Sequence, residues 1–340
     1  MGLTVAVAGL GTVGTTLVAL LLAHADRLGV ERVVVLRRAV PAWDEPAMAA
    51  LEARGVIVCT DAPDGRPSPD AVRDEVEYVF DCGPNGVGLA RRDRWARWPR
   101  VRGTCAQGSE TGYGPPFMTG VNGAAIAGAR HVQVVSCNTH GTSAVLQALC
   151  GERLEHLVDA DVVVVRRSED LGRHERLVGA TVVARHRDPA RGTHHAVDVA
   201  RLFGTIGVDP AVVSSDATTP TQLLHAFRFC VRVDDPARLA GDLTARLQAR
   251  PWLATTARFD ANAVFEQGRR DGFQGRVFAH AVVVANNLMV HDDTVRGWAF
   301  VPQEANSLPS TLEAMLRQLE RPDVEATMAG LAADLTRPSW

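Results

Sequence analysis

Lysine is absent from this chain: all 36 basic residues are arginine. That absence excludes Schiff-base catalysis, a pyridoxal anchor and a P-loop lysine. Codon usage in a GC-rich genome explains it without invoking function. Aromatic residues are scarce, at 5%, with two tyrosines. Charge imbalance is also missing: the net charge is −3, so no strong field recruits nucleic acid or an anionic membrane. No long apolar run occurs. The longest, Leu17–Ala23, falls far short of the ~20 residues a membrane-spanning helix needs. The six cysteines (59, 82, 105, 137, 150 and 230) contain no CxxC pair, which argues against a disulfide framework or a zinc ribbon. Reduced thiols in a cytoplasmic enzyme are expected, with no signal-like segment before the first strand.

The rest is ordinary for a globular protein: 46% hydrophobic and 22% charged over 340 residues, enough for two domains. The N-terminal segment reads as a strand, Leu3–Ala8, then Gly9-Leu10-Gly11-Thr12-Val13-Gly14, then a helix to about Arg27, then a β-branched strand, Glu31–Leu36. A GxGxxG turn between strand and helix, with a second strand on schedule, is the dinucleotide-binding pattern. Its glycines let the backbone approach a pyrophosphate at the helix N-terminus. Gly9, Gly11, Thr12, Val13 and Gly14 are the candidate contacts. A carboxylate at the end of the second strand would select NAD. Arg37-Arg38 stands there, suiting a 2′-phosphate, so NADP is favoured and NAD tolerated.

Further strands are expected at Val56–Cys59 and Glu77–Asp81, with a helix at Pro46–Arg54 between the second strand and these. A second glycine-rich loop follows at Pro84-Asn85-Gly86-Val87-Gly88. Alternation of strands and helices continues to about residue 135. From Asp161 strand-like runs follow one another (Val162–Val165, Gly179–Arg185, Phe227–Val233, Val277–Val284). The expected fold class is α/β: an N-terminal Rossmann domain plus an α+β catalytic domain, its sheet mostly antiparallel with helices on one face. The boundaries expected are 1–136 for the first domain, completed by the C-terminal helical segment 303–340, and 137–302 for the second.

His131–Val135 reads as a strand that runs through Ser136-Cys137-Asn138 into a helix at Thr142–Leu149. Cys137 therefore sits at a helix N-terminus, where free N–H groups and the helix dipole favour a thiolate and can hold an oxyanion. Most cysteines are inert core residues, and the other five are read that way. His186, His194, His195 and Asp198 match no zinc template, so no metal is expected.

The segment Val134-Val135-Ser136-Cys137-Asn138-Thr139 resembles the nucleophile motif of the archaeal-type (type II) glyceraldehyde-3-phosphate dehydrogenases. Gly9–Gly14, Pro84–Gly88, Gln107-Gly108, Arg166-Arg167, His194-His195, Pro220–His225 and Pro302-Gln303-Glu304 follow that family's order. The resemblance implies that Cys137 adds to an aldehyde to give a thiohemiacetal, that hydride transfer leaves a thioester, and that inorganic phosphate or water releases the acyl group. It implies His225 as general base and Asn138 as an orienting residue. It places Ser136, Arg166, His194 and His195 with Asn138 on the substrate side, and Gly108, Arg167 and Gln303 on the cofactor side. It also implies a homotetramer. Two departures stand out. The segment between Val40 and Glu77 is short, and the run after the arginine pair is replaced by Gly172–Gly179. Glyceraldehyde 3-phosphate itself is therefore in question, and another aldehyde or acyl phosphate is an alternative. A non-catalytic dinucleotide-binding redox sensor is the alternative of another class.

Overall fold

The computed structural model describes residues 2–168, 178–220, 223–272 and 276–340. The chain divides into two compact units. One comprises 1–117, 126–134 and 310–328; the other comprises 118–125, 135–309 and 329–340.

The first unit is a seven-stranded sheet in which every pair is parallel. In chain order it holds β1 (Leu3–Ala8), α1 (Thr12–Ala23), α2 (Ala25–Leu28), β2 (Val30–Arg37), α3 (Glu45–Glu52), β3 (Ile57–Thr60), β4 (Tyr78–Asp81), α4 (Val87–Ala96), β5 (Gly103–Gln107), β6 (Pro116–Phe117) and β7 (His131–Val134). The strand order is β3-β2-β1-β4-β5-β7-β6, with the reversal between β1 and β4 that gives a Rossmann-like sheet its ligand crevice. The central β1 is buried on both faces from Thr4 to Ala8, and β1 and its neighbour β2 are rich in valine, as helices above and below a parallel sheet demand. The helix expected to reach Arg27 breaks at His24 into α1 and α2, ending on Gly29 in the left-handed conformation.

Glu110 is buried, and its two carboxylate oxygens accept from the backbone N–H groups of Gly86 (2.5 Å) and Leu89 (3.0 Å). It caps α4, which has no side-chain cap at Gly86.

The second unit opens with α5 (Cys137–Cys150) and continues through β8 (Leu157–Arg167), β9 (Val182–Val183), α6 (His194–Gly204), β10 (Val212–Thr219), β11 (His225–Val233), α7 (Leu243–Gln248), β12 (Leu253–Thr256), α8 (Ala261–Arg270), β13 (Ala281–Val284), β14 (Met289–His291) and β15 (Thr294–Val301). Two further helices follow: α9 (Leu308–Gln318), most of which belongs to the first unit, and α10 (Val324–Leu335), whose first five residues do. The sheet runs β12-β13-β15-β11-β8-β10-β9, with β14 beside β15. Two pairs are parallel, β8 with β10 and β12 with β13; the rest are antiparallel.

Alternate residues of β8, β11 and β15 bury against α5, α6 and α7. The expectation of helices on one face is corrected at the β12–β13 end. There α8 packs Val264 on the opposite face, with Val282, Val284, Phe300 and Trp340. The four residues Ala281–Val284 are all buried, so that strand needs cover on both sides. Of the strand expected at Gly179–Arg185, only Val182–Val183 pairs, and both are exposed. No described helix is long and apolar enough to cross a membrane.

Candidate active site

In the first unit the β1–α1 turn has the form a dinucleotide requires. Gly9 takes φ +98°, and a Cβ on Gly14 would lie 2.1 Å from the Gly9 carbonyl oxygen, so both positions admit only glycine. Around Gly11 no atom lies within 4 Å of an added Cβ. Gly11 is the N-cap of α1 and offers no side-chain cap, and the first turn carries no acidic residue. Its N–H groups, with Thr12 and Val13 leading the helix, are open to an anion. Gly108 at the end of β5 has φ +80°, and its N–H donates to the Val134 carbonyl at 2.9 Å.

At the end of β2 the two arginines part company. Arg37 pairs with Asp44 (Nη2–Oδ2, 2.8 Å) and also points at the Met48 sulfur. Arg38 is exposed and makes no ion pair among the described residues.

In the second unit the sheet gathers the chemistry at one end. Arg166 and Arg167 close β8 and pair with Thr218 and Thr219, which close the parallel β10. His225 opens the antiparallel β11 and faces Val301, the last residue of β15. Gln303, Glu304 and Asn306 follow directly.

Cys137 is the first residue of α5, and Ser136 is its N-cap. The Ser136 hydroxyl, expected on the substrate, accepts from the Thr139 N–H at 3.3 Å and lies 2.9 Å from the Thr139 hydroxyl. The Asn306 amide donates to the carbonyl of Cys137 at 2.8 Å and to that of His280 at 3.0 Å. Nδ1–H of His280 donates to the Asn306 carbonyl at 2.8 Å, and Nδ1–H of His140 donates to the Ser136 carbonyl at 3.0 Å. The two rings lie 5.0 Å apart. Asn306, His140 and His280 were not singled out from the sequence. The one available signal was that Asn306 follows the Pro302-Gln303-Glu304 segment.

Burial pushes the Cys137 thiol up to about 11. The Arg167 charge, the Asn138 backbone N–H and the Arg166 charge pull the other way. The stabilised thiolate expected from the helix terminus is thus outweighed by desolvation, although the stabilising groups are all present. Burial also raises Cys59 to about 11, and Cys105 and Cys150 to about 12.

Arg167 is buried. Its guanidinium contacts Glu304 at 2.5 Å and the Leu223 carbonyl at 2.8 Å. The resemblance puts this residue on the cofactor; in the structure its guanidinium also meets the Glu304 carboxylate that a buried charge needs. Its backbone N–H donates to Nδ1 of His225 at 3.0 Å. Arg167 thus bears electrostatically on Cys137 through its charge and bonds His225 through its backbone. Asn138 is also buried, and its Oδ1 finds no hydrogen-bond partner among the described residues.

His194 and His195 open α6 with rings 3.9 Å apart. His195 Nε2 lies 3.3 Å from the buried carboxylate of Asp216, a residue sequence reasoning missed because β10 brings it from 21 positions away. The donor atoms of His194, His195 and Asp216 lie within 4.8 Å of one another. Burial first, then His195 and Arg166, lower His194 to about 4; Arg187 adds to this. Those arginines favour an anion over a cation in the adjoining space. Residues 172–177 of the divergent run after the arginine pair, and Thr221-Gln222, lie outside the described residues.

A Rossmann-like sheet with an open glycine turn, joined to an α+β unit whose first helix begins on a cysteine, defines the class as dinucleotide-type α/β proteins. No family model matches the chain. It is 23% identical to the glyceraldehyde-3-phosphate dehydrogenase of Methanobacterium formicicum over 264 residues, 74% of this chain and 73% of the relative. It is 26% identical to that of Pyrobaculum calidifontis over 243 residues, 70% and 69%. It is 30% identical to that of Halobacterium salinarum over 182 residues, 53% and 51%. The chain is a divergent relative of the archaeal glyceraldehyde-3-phosphate dehydrogenases.

Proposed function

We propose that the chain is an NAD(P)-dependent oxidoreductase that interconverts an aldehyde and an acyl phosphate through a covalent adduct on Cys137. The observation that carries this reading is the setting of Cys137. The thiol starts an uncapped-by-charge helix, receives the Asn138 N–H and feels the Arg166 and Arg167 guanidiniums. This is a place where a sulfur anion and a neighbouring oxyanion are both stabilised once substrate is present. Gly9 to Gly14 and Gly108 hold the dinucleotide, with Arg38 toward a 2′-phosphate and Arg167 and Gln303 as further cofactor contacts. Bound there, the dinucleotide supplies the hydride acceptor or donor.

Arg166, His194 and His195 take the anionic end of the substrate, and Asn138 orients its carbonyl oxygen. Inorganic phosphate or water releases the acyl group. The divergent run 172–179 favours a substrate other than glyceraldehyde 3-phosphate. By the same reading the chain assembles as a homotetramer in the cytoplasm. The test is an aldehyde panel with NAD and NADP, with and without phosphate, on wild type and Cys137→Ser. Aldehyde-dependent reduction of cofactor that vanishes in Cys137→Ser supports the reading. Dinucleotide binding with no turnover on any aldehyde supports the redox-sensor alternative.

A further inference from the structure

His195 and Asp216 are sealed in the second unit, each 3% exposed. Neither ring nitrogen of His195 finds a hydrogen-bond partner among the described residues, and neither does Oδ1 of Asp216. Buried polar atoms are rarely left so. Nε2 of His195 still lies 3.3 Å from Oδ2 of Asp216. That is long for a charge-assisted hydrogen bond, which runs at about 2.7–2.9 Å. It matches two donors that share one tetrahedral ion at about 2.0–2.1 Å from each. His194 brings the third donor. Its ring lies 3.9 Å from that of His195, and the donor atoms of the three residues are all within 4.8 Å of one another.

Two regular elements hold these side chains in place. Ser214 of β10 fastens the first turn of α6: its hydroxyl accepts from the Ala196 N–H at 3.0 Å and lies 2.7 Å from the Thr193 hydroxyl. Alternation along β10 puts Asp216 on the same buried face as Ser214, so its carboxylate meets the start of α6. His186 and Asp198, the nearer neighbours in sequence, do not belong to the cluster.

We infer that His194, His195 and Asp216 bind one divalent transition-metal ion, with zinc the best match to two imidazoles and a carboxylate. The site stands whether or not Cys137 is the nucleophile. Three protein donors leave a fourth position, and His194 is exposed, so that position opens to solvent. Arg166 and Arg187 bear on His194, and Arg166 also on Asp216. Their charge weakens the hold on a bare cation and draws an anion beside it. The anion takes the fourth position, and its charge offsets both the ion and the arginines.

The test uses the full chain, stripped with a chelator and returned to zinc or cobalt alone. Wild type should retain one equivalent of zinc through gel filtration. Cobalt should give the intense visible bands of a four-coordinate ion, and inorganic phosphate should shift them. His194→Ala removes an exposed side chain, and Asp216→Asn keeps the shape but loses the charge. Each should weaken zinc by at least ~100-fold, since loss of a partner outside the ligand set already costs ~10–100-fold. His291→Ala, at an exposed histidine of β14, should bind zinc as wild type does. A wild type that retains no zinc overturns the inference. So do His194→Ala and Asp216→Asn variants that bind zinc like wild type, and so does a thiolate-to-cobalt charge-transfer band, which puts the ion on a cysteine. Cobalt bands that phosphate leaves unmoved overturn the open fourth position.

Discussion

The guanidinium of Arg167 and the carboxylate of Glu304 form an ion pair at 2.5 Å, with side chains only 2% and 1% exposed. The two residues are 137 positions apart and are joined by the register of β8, β11 and β15. Burying such a pair contributes little net stability, but removing one partner strands a charge in low dielectric. Arg167→Ala should therefore cost about 3–5 kcal/mol in urea unfolding. The Arg167→Met/Glu304→Leu double variant should recover much of that loss while leaving Cys137 without its strongest cation. A single variant as stable as wild type would show that the pair is not desolvated as described.

The thiol of Cys137 is held up to about 11 by burial in the protein without substrate. Its reaction with iodoacetamide should be slow at neutral pH and rise close to tenfold per pH unit between 7 and 9, because only the thiolate reacts. Cys137→Ser provides the background from the other thiols. A rate already on a plateau at pH 7 would mean that the Asn138 N–H and the two arginines outweigh desolvation.

The two arginines after β2 should behave differently. Arg38 is exposed and unengaged among the described residues, so Arg38→Ala should weaken NADP by about tenfold, the loss of one charge-assisted bond to phosphate, and leave NAD nearly unchanged. Arg37→Ala uncovers the Asp44 carboxylate, which repels a 2′-phosphate and can accept from a ribose hydroxyl. That variant should shift preference toward NAD. Titration of both cofactors against both variants decides it; an unchanged NADP/NAD ratio in each removes the 2′-phosphate site from the end of β2.

These contrasts show what a sequence exposes and what it hides. The turn Gly9–Gly14 and the strand-to-helix step at Cys137 are local, so spacing and residue type display them. Arg37 and Arg38 look alike as letters, and only the fold puts Asp44 against one of them. Asp216 reaches His195, Glu304 reaches Arg167 and Asn306 reaches Cys137 through sheet pairing or chain return, which no local pattern encodes.

His140 of α5 and His280 are buried with rings 5.0 Å apart, held to about 3 and about 4 by burial; the charge of His280 adds to the effect on His140. Both are neutral in the folded protein at pH 7. In the unfolded chain each takes up a proton near the usual histidine value, so the unfolded state binds more protons below about pH 6.5. Stability is therefore complete above that pH and falls as pH drops from about 6.5 toward 4 and then 3. At pH 5 each histidine should have lost about 2 kcal/mol relative to pH 7, from 1.36 kcal/mol per unit over about 1.5 units. His280→Gln keeps a donor for the Asn306 carbonyl but cannot titrate. It should remove about half of the pH-dependent loss that this pair contributes, whatever its effect on stability at pH 7. Urea unfolding at pH 7, 6 and 5 on wild type and variant measures both slopes. Parallel slopes would show that His280 is protonated alike in the folded and unfolded states, and so is not sealed from water.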